Sequence, residues 1–521
     1  LLLAARCPAA PDVDTLVICP ASLQRALQPW IHYRQSQGHS IRLHAPPGSA
    51  GELTQLIRSE AGQHPIRWLL LVGDAPAVGG RLAEDDSAGI ATHRIEARLN
   101  VLYGSEPEIA SDNPYADLDG DQLPDIAVGR LPVDDAGELK LLVRRIIDYE
   151  KQQGPADWKS RVHFIAGVGG FGLLADKALE AVTRQLIGGG LPSSYSSTMT
   201  YASWQSPYCP DPRHFDQAVI SRMNEGSLFW VYIGHGSRRQ LDRVVVPGST
   251  HHIMAGGDVG RVDCRQGSPI AIFLACYTGA YDGSRDCMAE QLLRNPRGPI
   301  AVYAGSRVTM PYAMAVMGES LMRQVFQQRR ATLGEVVLHA KRDLGQQRPA
   351  NATLQRRTID LLARTLYPPS HDLALERQEH LALFNLLGDP LLRIPYPGEI
   401  DVSAEGAVDA GQQLLVSVNL PHAGRLKLAL VCQRGEFPFD PPQRLEYLAE
   451  DRWLSEFHQT YEMANRPWWI VQDYAVKSGP QRLVLTIPAG ARGSCVLQVL
   501  LKGRRGWAVG AKPVYIRASG S

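Results

Sequence analysis

The sequence has no apolar run long enough to span a bilayer. Its strongest, such as Pro269 to Cys276, fall far short of the ~20 residues a membrane helix needs. It has no excess of either charge, with 54 basic and 53 acidic residues for a net charge of +1. Nor is there a block of like charges, so nothing provides the electrostatic footprint of a nucleic-acid binder or an interaction tail. Cysteine is scarce, at eight in 521 residues. That excludes a disulfide scaffold and leaves room for a bridge or two. There is no internal repeat and no low-complexity tract. What is present is ordinary for a globular protein, 44% apolar and 21% charged. This is ample apolar mass for a buried core, and it excludes a disordered chain. At ~150 residues per domain, the length suggests about three domains.

The chain opens at Leu1. Leu1 to Ala5 read either as a frayed terminus or as the end of a secretory leader, and Arg6 directly before Cys7 argues against a lipoprotein cleavage site. Residues 1–11 are therefore expected to be a disordered or trimmed leader. From there to about residue 154, strand and helix signals alternate. Leu16 to Ile18, Ile41 to Leu43, Trp68 to Val72 and Ile126 to Val128 read as strands. Ala21 to Gln37 reads as a helix that Pro29 should kink or delay. Glu138 to Glu150 carries Leu142, Ile146 and Tyr149 on one face. This is the pattern of a parallel sheet covered by helices.

The pattern restarts near Trp158 and runs to about residue 398. Its strands are Val162 to Ala166, Leu228 to Ile233, Ile270 to Leu274 and Ile300 to Ala304. Helical stretches cover Asp176 to Leu186, Asp286 to Arg294, Met317 to Gln328 and Leu333 to Leu344. After Pro397-Gly398 the character changes. Residues 399–521 show short strands such as Leu414 to Val418 and Val496 to Leu501, turns rich in Gly, Pro and Asn, and little helical period. A small all-β sandwich is expected there.

Two strands end in reactive side chains. One runs into Gly234-His235-Gly236-Ser237, the other into Ala275-Cys276-Tyr277. In open α/β sheets the functional crevice lies beyond the carboxyl ends of parallel strands. Neighbouring strands would set the thiol and the imidazole a few ångströms apart, the arrangement needed for nucleophilic attack on a carbonyl. Gly236 leaves its backbone N–H open to a substrate oxygen, and with the Cys276 N–H it can form an oxyanion hole. Each residue alone reads as structural, and the joint pattern shifts the reading to catalysis. A second constellation is Asp117, Asp119, Asp121 and Asp125 around Gly120. It is either a calcium-binding turn or an Asx-rich surface turn, and it lacks the terminal Glu of an EF-hand. His251-His252 read as polar surface rather than metal ligands. Cys264 and Cys287 are expected to be structural. Cys432 and Cys495 fall in C-terminal strands, either as a bridge between two sheets or as separate buried thiols.

Taken in order, these blocks resemble the gingipain-type cysteine peptidases of family C25, within the caspase-like group. The resemblance is carried by LLLVGD at Leu69 to Asp74, IAVGR at Ile126 to Arg130, YIGHGS at Tyr232 to Ser237, and Ala275-Cys276 with Cys287-Met288-Ala289-Glu290 downstream. IAVYAGS at Ile300 to Ser306 and the closing Gly388-Asp389-Pro390 complete it. It implies caspase/gingipain-like parallel-sheet α/β subdomains over 12–154 and 155–398, then an all-β immunoglobulin-like domain over 399–521. It implies a cysteine endopeptidase with His235 and Cys276 as the dyad, Gly236 and Cys276 as oxyanion donors, and no cofactor for catalysis beyond a structural calcium ion. It further implies a bacterial secreted or cell-surface location, protein or peptide substrates, and a propeptide partner outside this chain. The family pattern places an acid just after Ala166-Gly167 to orient the histidine, where this chain has Val168. For the primary specificity pocket the resemblance points to Asp176, which also reads as a helix N-terminal carboxylate. Tyr277 and Arg307 are the other expected substrate contacts. An Arg307 in the pocket would favour acidic substrates, so specificity stays open, with basic residues as the expectation. A sortase-like transpeptidase and a non-catalytic surface binding protein on the same fold are the competing readings.

Overall fold

In the computed structural model, which describes residues 12–76, 89–152, 157–168, 190–346 and 352–518, the apolar runs become one ten-stranded sheet. In chain order its strands are β1 (Thr15–Ile18), β2 (Ile41–His44), β3 (Trp68–Val72), β4 (Ala127–Leu131), β5 (Arg161–Ala166), β6 (Ser196–Tyr201), β7 (Phe229–Ile233), β8 (Ile270–Leu274), β9 (Ala301–Gly305) and β10 (Phe384–Leu387). Across the sheet they lie in the order β2-β1-β3-β4-β10-β9-β8-β7-β5-β6. Every neighbouring pair is parallel except β10 with β9. The sheet is thus two parallel halves of opposite direction, joined where β10 pairs with both. β3, β7, β8 and β9 are buried along their whole length, as continuous apolar runs between helical layers must be.

The closing Gly388-Asp389-Pro390 locks this join. Asp389 is fully buried and takes hydrogen bonds from Trp30 Nε1 (2.5 Å) and Arg34 (2.6 Å), both on the first helix, Ala21–Ser36. Pro29 sits inside that helix on its exposed side, where the carbonyl it leaves unbonded can face water. Arg130, in the IAVGR block, is buried across β4 and holds Asp112 through two bonds of 2.7 Å. Beside them, on the helix Leu333–Gly345, Lys341 is buried and donates to Asn113 Oδ1 (3.2 Å). Burial pushes the Lys341 ammonium down to about 7, against the pull of Asp112. The unfolded chain titrates near 10.4, so between these values it binds more protons than the folded one, and the Lys341 contribution to stability rises with pH across that window. Lys341→Met is therefore expected to stabilise the protein at pH 7 and below. In urea titrations its advantage over wild type should shrink by up to about 1.4 kcal/mol per pH unit toward pH 10. A pH-independent difference would contradict it.

The C-terminal region packs two sheets around a separate core that includes Leu414, Val416, Leu428 and Leu497. Its sheets fit the all-β domain expected, with one addition: the helix Asp451–Ala464 is inserted between strands Gly424–Cys432 and Trp468–Val476. Leu454 and Phe457 on this helix join the core of the α/β region, and Tyr461 Oη meets Thr200 (2.8 Å) and Arg222 (2.7 Å). The helix is the strut by which the sandwich grips strand β6. Cys432 and Cys495 do not face each other across two sheets. They are directly opposed on adjacent antiparallel strands of one sheet, both as buried free thiols. Among the described residues no helix is long and apolar enough to cross a membrane.

Candidate active site

β7 and β8 are parallel neighbours in register, with Ile233 opposite Leu274. His235 and Cys276 each stand two residues beyond those partners, so both leave the sheet at the same edge. The chain turns at Gly234, whose φ of +156° suits only glycine and whose Cβ would lie 2.8 Å from Tyr232 Oη. Gly236 packs against the other strand's end. A Cβ there would fall 2.7 Å from the Cys276 carbonyl oxygen and 3.1 Å from Ala275 Cβ. The structure therefore brings together His235, Gly236 and Cys276, the residues singled out for nucleophilic chemistry. Among the described residues, the N–H groups of Gly236 and Cys276 are not taken by backbone carbonyls, which leaves both able to meet a developing oxyanion.

Cys276 is half-buried, and its sulfur has a neighbour the sequence did not reveal. The Thr309 N–H donates to Sγ (3.3 Å), and Thr309 Oγ1 lies 3.5 Å from it. The thiol also lies 3.7 Å from the Thr309 carbonyl oxygen, to which it can donate, so one residue meets the sulfur through three atoms. Tyr277, next in the chain, is held at φ +57°, in the left-handed region that a tyrosine enters only when surrounding contacts enforce it. Its N–H donates to the Arg307 carbonyl (3.1 Å), and its hydroxyl donates to Glu106 Oε2 (2.6 Å). Burial, and then that hydrogen bond, push the Tyr277 phenol up to about 12. Burial opposes ionisation of Glu106, but the bond from Tyr277, with Arg307 and Arg238 close by, holds its pKa below the ordinary value. Glu106 thus contributes an ionised carboxylate beside the nucleophile's turn, and no motif had pointed to it.

The expected role of Arg307 needs correction. Its side chain is 1% exposed and is paired with Asp282, itself fully buried, at 2.6 Å. It also donates to the Glu108 and Ser306 carbonyls. Its charge is spent inside the protein and does not present a cation to substrate. Asp176 lies outside the described residues. Val168 is half-buried. Among the described residues, a carboxylate does approach the histidine from the far side of the loop that carries it. The charge of His235 acts on the Asp242 carboxyl, whose Oδ2 would lie 3.1 Å from a Cβ placed on Gly167.

Away from this edge, oxygens of Asp117, Asp119 and Asp125 converge within 4.8 Å of one another. Asp121 does not join them, because its Oδ1 turns back to accept the Leu123 N–H (2.7 Å). Asp117 also accepts the N–H groups of Gly120 (2.7 Å) and Gln122 (3.0 Å), which fold the turn around its carboxylate. Three converging oxygen donors suit a hard cation. His252 stands near Asp258 (3.2 Å) and Asp216, but Arg261 bonds both carboxylates (2.9 and 2.6 Å) and supplies the positive charge there. Cys264 and Cys287 are buried, with burial raising both thiols, as structural residues should be.

The sequence model of peptidase family C25 matches residues 9–395. Among curated proteins, Lys-gingipain W83 from Porphyromonas gingivalis is 22% identical over 311 residues, covering 56% of this chain and 15% of the relative. Lys-gingipain from the strain ATCC 33277 of the same organism is 20% identical over 306 residues, again 15% of its length. The chain thus spans a small part of the curated relatives it matches. Among solved structures, the Arg-specific cysteine proteinase gingipain R superposes with a TM-score of 0.54 at 17% identity, over 98% of this chain and 99% of that one. The complex of the pro- and mature domains of Porphyromonas gingivalis RgpB gives 0.53 at 16%, over 97% and 100%. These likenesses establish a gingipain fold.

Proposed function

Because the chain belongs to peptidase family C25, we propose that it hydrolyses peptide bonds with Cys276 as nucleophile and His235 as proton carrier. The observation that carries this is the register of β7 and β8, which sets both side chains two residues past paired positions on one edge. His235 takes the Cys276 thiol proton, the sulfur attacks the scissile carbonyl and forms a C–S bond, and the carbonyl oxygen, now anionic, meets the N–H groups of Gly236 and Cys276. Collapse breaks the C–N bond, and the imidazolium of His235 gives its proton to the leaving amine. Water then attacks the thioester with His235 taking its proton, the C–S bond breaks, and the acid is released. The sulfur freed in that last step meets the Thr309 N–H (3.3 Å).

A basic residue at the cleaved position belongs to this proposal. Its support is the Lys and Arg specificities in the names of the similar proteins, together with Asp176 as the carboxylate for such a pocket. Arg307, being neutralised by Asp282, does not argue for acidic substrates. Export to a secreted or surface location rests on the family resemblance. A propeptide partner is supported by the solved pro- and mature-domain complex. A positional-scanning peptide library with product masses read out tests the reading. Free acid products ending in Lys or Arg are expected. Amide products formed with an added amine would mark a transpeptidase instead, and no turnover of any peptide would favour a binding protein.

Calcium is proposed at the Asp117, Asp119 and Asp125 turn as a structural ion. It would add to the Arg342 guanidinium, which already bonds Asp125 (2.6 Å), in neutralising carboxylate oxygens held within 4.8 Å of one another. Chelation is expected to lower Tm, and added calcium should restore it. An unchanged melting curve in chelator would contradict the site.

A further inference from the structure

We infer that Asp242 is the residue that orients His235, in the place that Val168 leaves without a carboxylate. This deepens the cysteine-peptidase reading and rests on it. The geometry begins with the loop after β7, which folds back on itself as a short antiparallel hairpin. Gly236 bridges Leu241, and the Ser237 N–H bonds the Gln240 carbonyl (2.8 Å). The pair on the other side of that bridge is therefore His235 and Asp242. The Tyr232 hydroxyl bonds the backbone of both residues, and the charge of His235 acts on the Asp242 carboxyl, so the two side chains lie close together. An imidazole and a carboxylate in that relation are within reach of a hydrogen bond.

The carboxylate is fixed from other directions as well. Tyr232, fully buried on β7, donates its hydroxyl to the His235 carbonyl (2.7 Å) and accepts the Asp242 N–H (3.3 Å). One phenol thus pins the backbone on both sides of the pair. Asp242 Oδ1 accepts the Arg243 N–H (2.7 Å). Oδ2 is directed at the end of β5, where a side chain on Gly167 would come within 3.1 Å of it and of Tyr232 Oη. Gly167 is therefore the space that admits the carboxylate. Among the described residues, the Tyr232 phenol and the Arg243 N–H face this pair. Burial raises the Asp242 pKa, while the Arg243 N–H and the charge of His235 pull against that rise, as an imidazolium partner should.

A carboxylate in this position holds the imidazole in one tautomer and rotation and stabilises the imidazolium as it forms. It does not touch the reacting atoms, so Asp242 is a positioning residue. The test compares wild type with Asp242→Asn, Asp242→Glu and Cys276→Ala on the fluorogenic peptide that the library ranks first. Asp242→Asn should lower kcat roughly 10²–10⁴-fold, with KM within a few-fold and Tm unchanged. Asp242→Glu should recover part of the loss. An Asp242→Asn enzyme with wild-type kcat overturns the assignment. So does a loss shared with Tm that Glu does not recover. If Cys276→Ala is dead while Asp242→Asn is not impaired, only the positioning role fails. If Cys276→Ala remains active, the cysteine reading itself fails.

Discussion

Replacing Cys276 with Ala should abolish peptide hydrolysis and leave the fold intact. The side chain is half-buried at a strand end, beyond the residues that pair β8 with β7 and β9. The strands themselves are untouched by the change. The chief structural cost is the buried Thr309 N–H that loses its sulfur acceptor, about 1–3 kcal/mol. The chemical cost is far larger. Removing one member of a nucleophile–base unit in hydrolases costs on the order of 10⁴–10⁶ in kcat. His235→Ala should fall in the same range. Because the two act as a unit, the double variant should be scarcely worse than either alone. Initial rates set beside melting curves check this. Near-wild-type activity in either single variant would remove that residue from the chemistry.

Replacing Arg307 with Met should act on stability and leave substrate charge preference alone. Arg307 and Asp282 are both essentially inaccessible, so the pair has already lost its hydration. Removing one partner leaves a buried charge uncompensated, which costs about 3–5 kcal/mol. The Glu108 and Ser306 carbonyls lose their donors too. Arg94 also bonds Asp282 (2.9 Å) from a more exposed position, so the loss should lie at the lower end of that range. Adding Asp282→Leu should restore part of the stability, since the stranded carboxylate is then gone. Urea titration of the single and double variants gives the answer. An unchanged midpoint, together with a lost preference for acidic peptides, would return Arg307 to the substrate pocket.

The strands that carry the site were legible because burial on both faces demands unbroken apolar runs, and Trp68 to Val72, Phe229 to Ile233 and Ile270 to Leu274 have no other reading. Gly234 and Gly236 marked the histidine's turn for a reason the structure makes physical: neither site has room for a Cβ. Pairing was not legible. Phe384–Leu387 reaches the sheet after a long helical stretch and slots between its halves, a choice made by tertiary packing that leaves no local trace. The same ignorance of pairing left Cys432 and Cys495 open between a bridge joining two sheets and separate buried thiols; they are free thiols side by side on neighbouring strands. The helix Asp451–Ala464 was overlooked because its apolar face is narrow, Leu454, Phe457 and Tyr461 among polar neighbours, and it becomes visible only against strand β6. Asp242 is one acid in a polar loop. Nothing in Ser237 to Arg243 announces that the chain doubles back to lay it opposite His235. Arg307 misled for the reverse reason, since a charge beside a catalytic loop looks available until its buried partner is seen.

The most direct test is to treat the folded protein with a peptidyl-lysine acyloxymethyl ketone and locate the adduct by tandem mass spectrometry. This electrophile needs an activated thiolate and forms a thioether in place of the thioester. The expected result is a single adduct on Cys276 that is slowed strongly in His235→Ala and lost when the protein is unfolded in urea before treatment. A folded chain that stays unlabelled, or one labelled at Cys276 no faster than the unfolded chain, would contradict a catalytic Cys276.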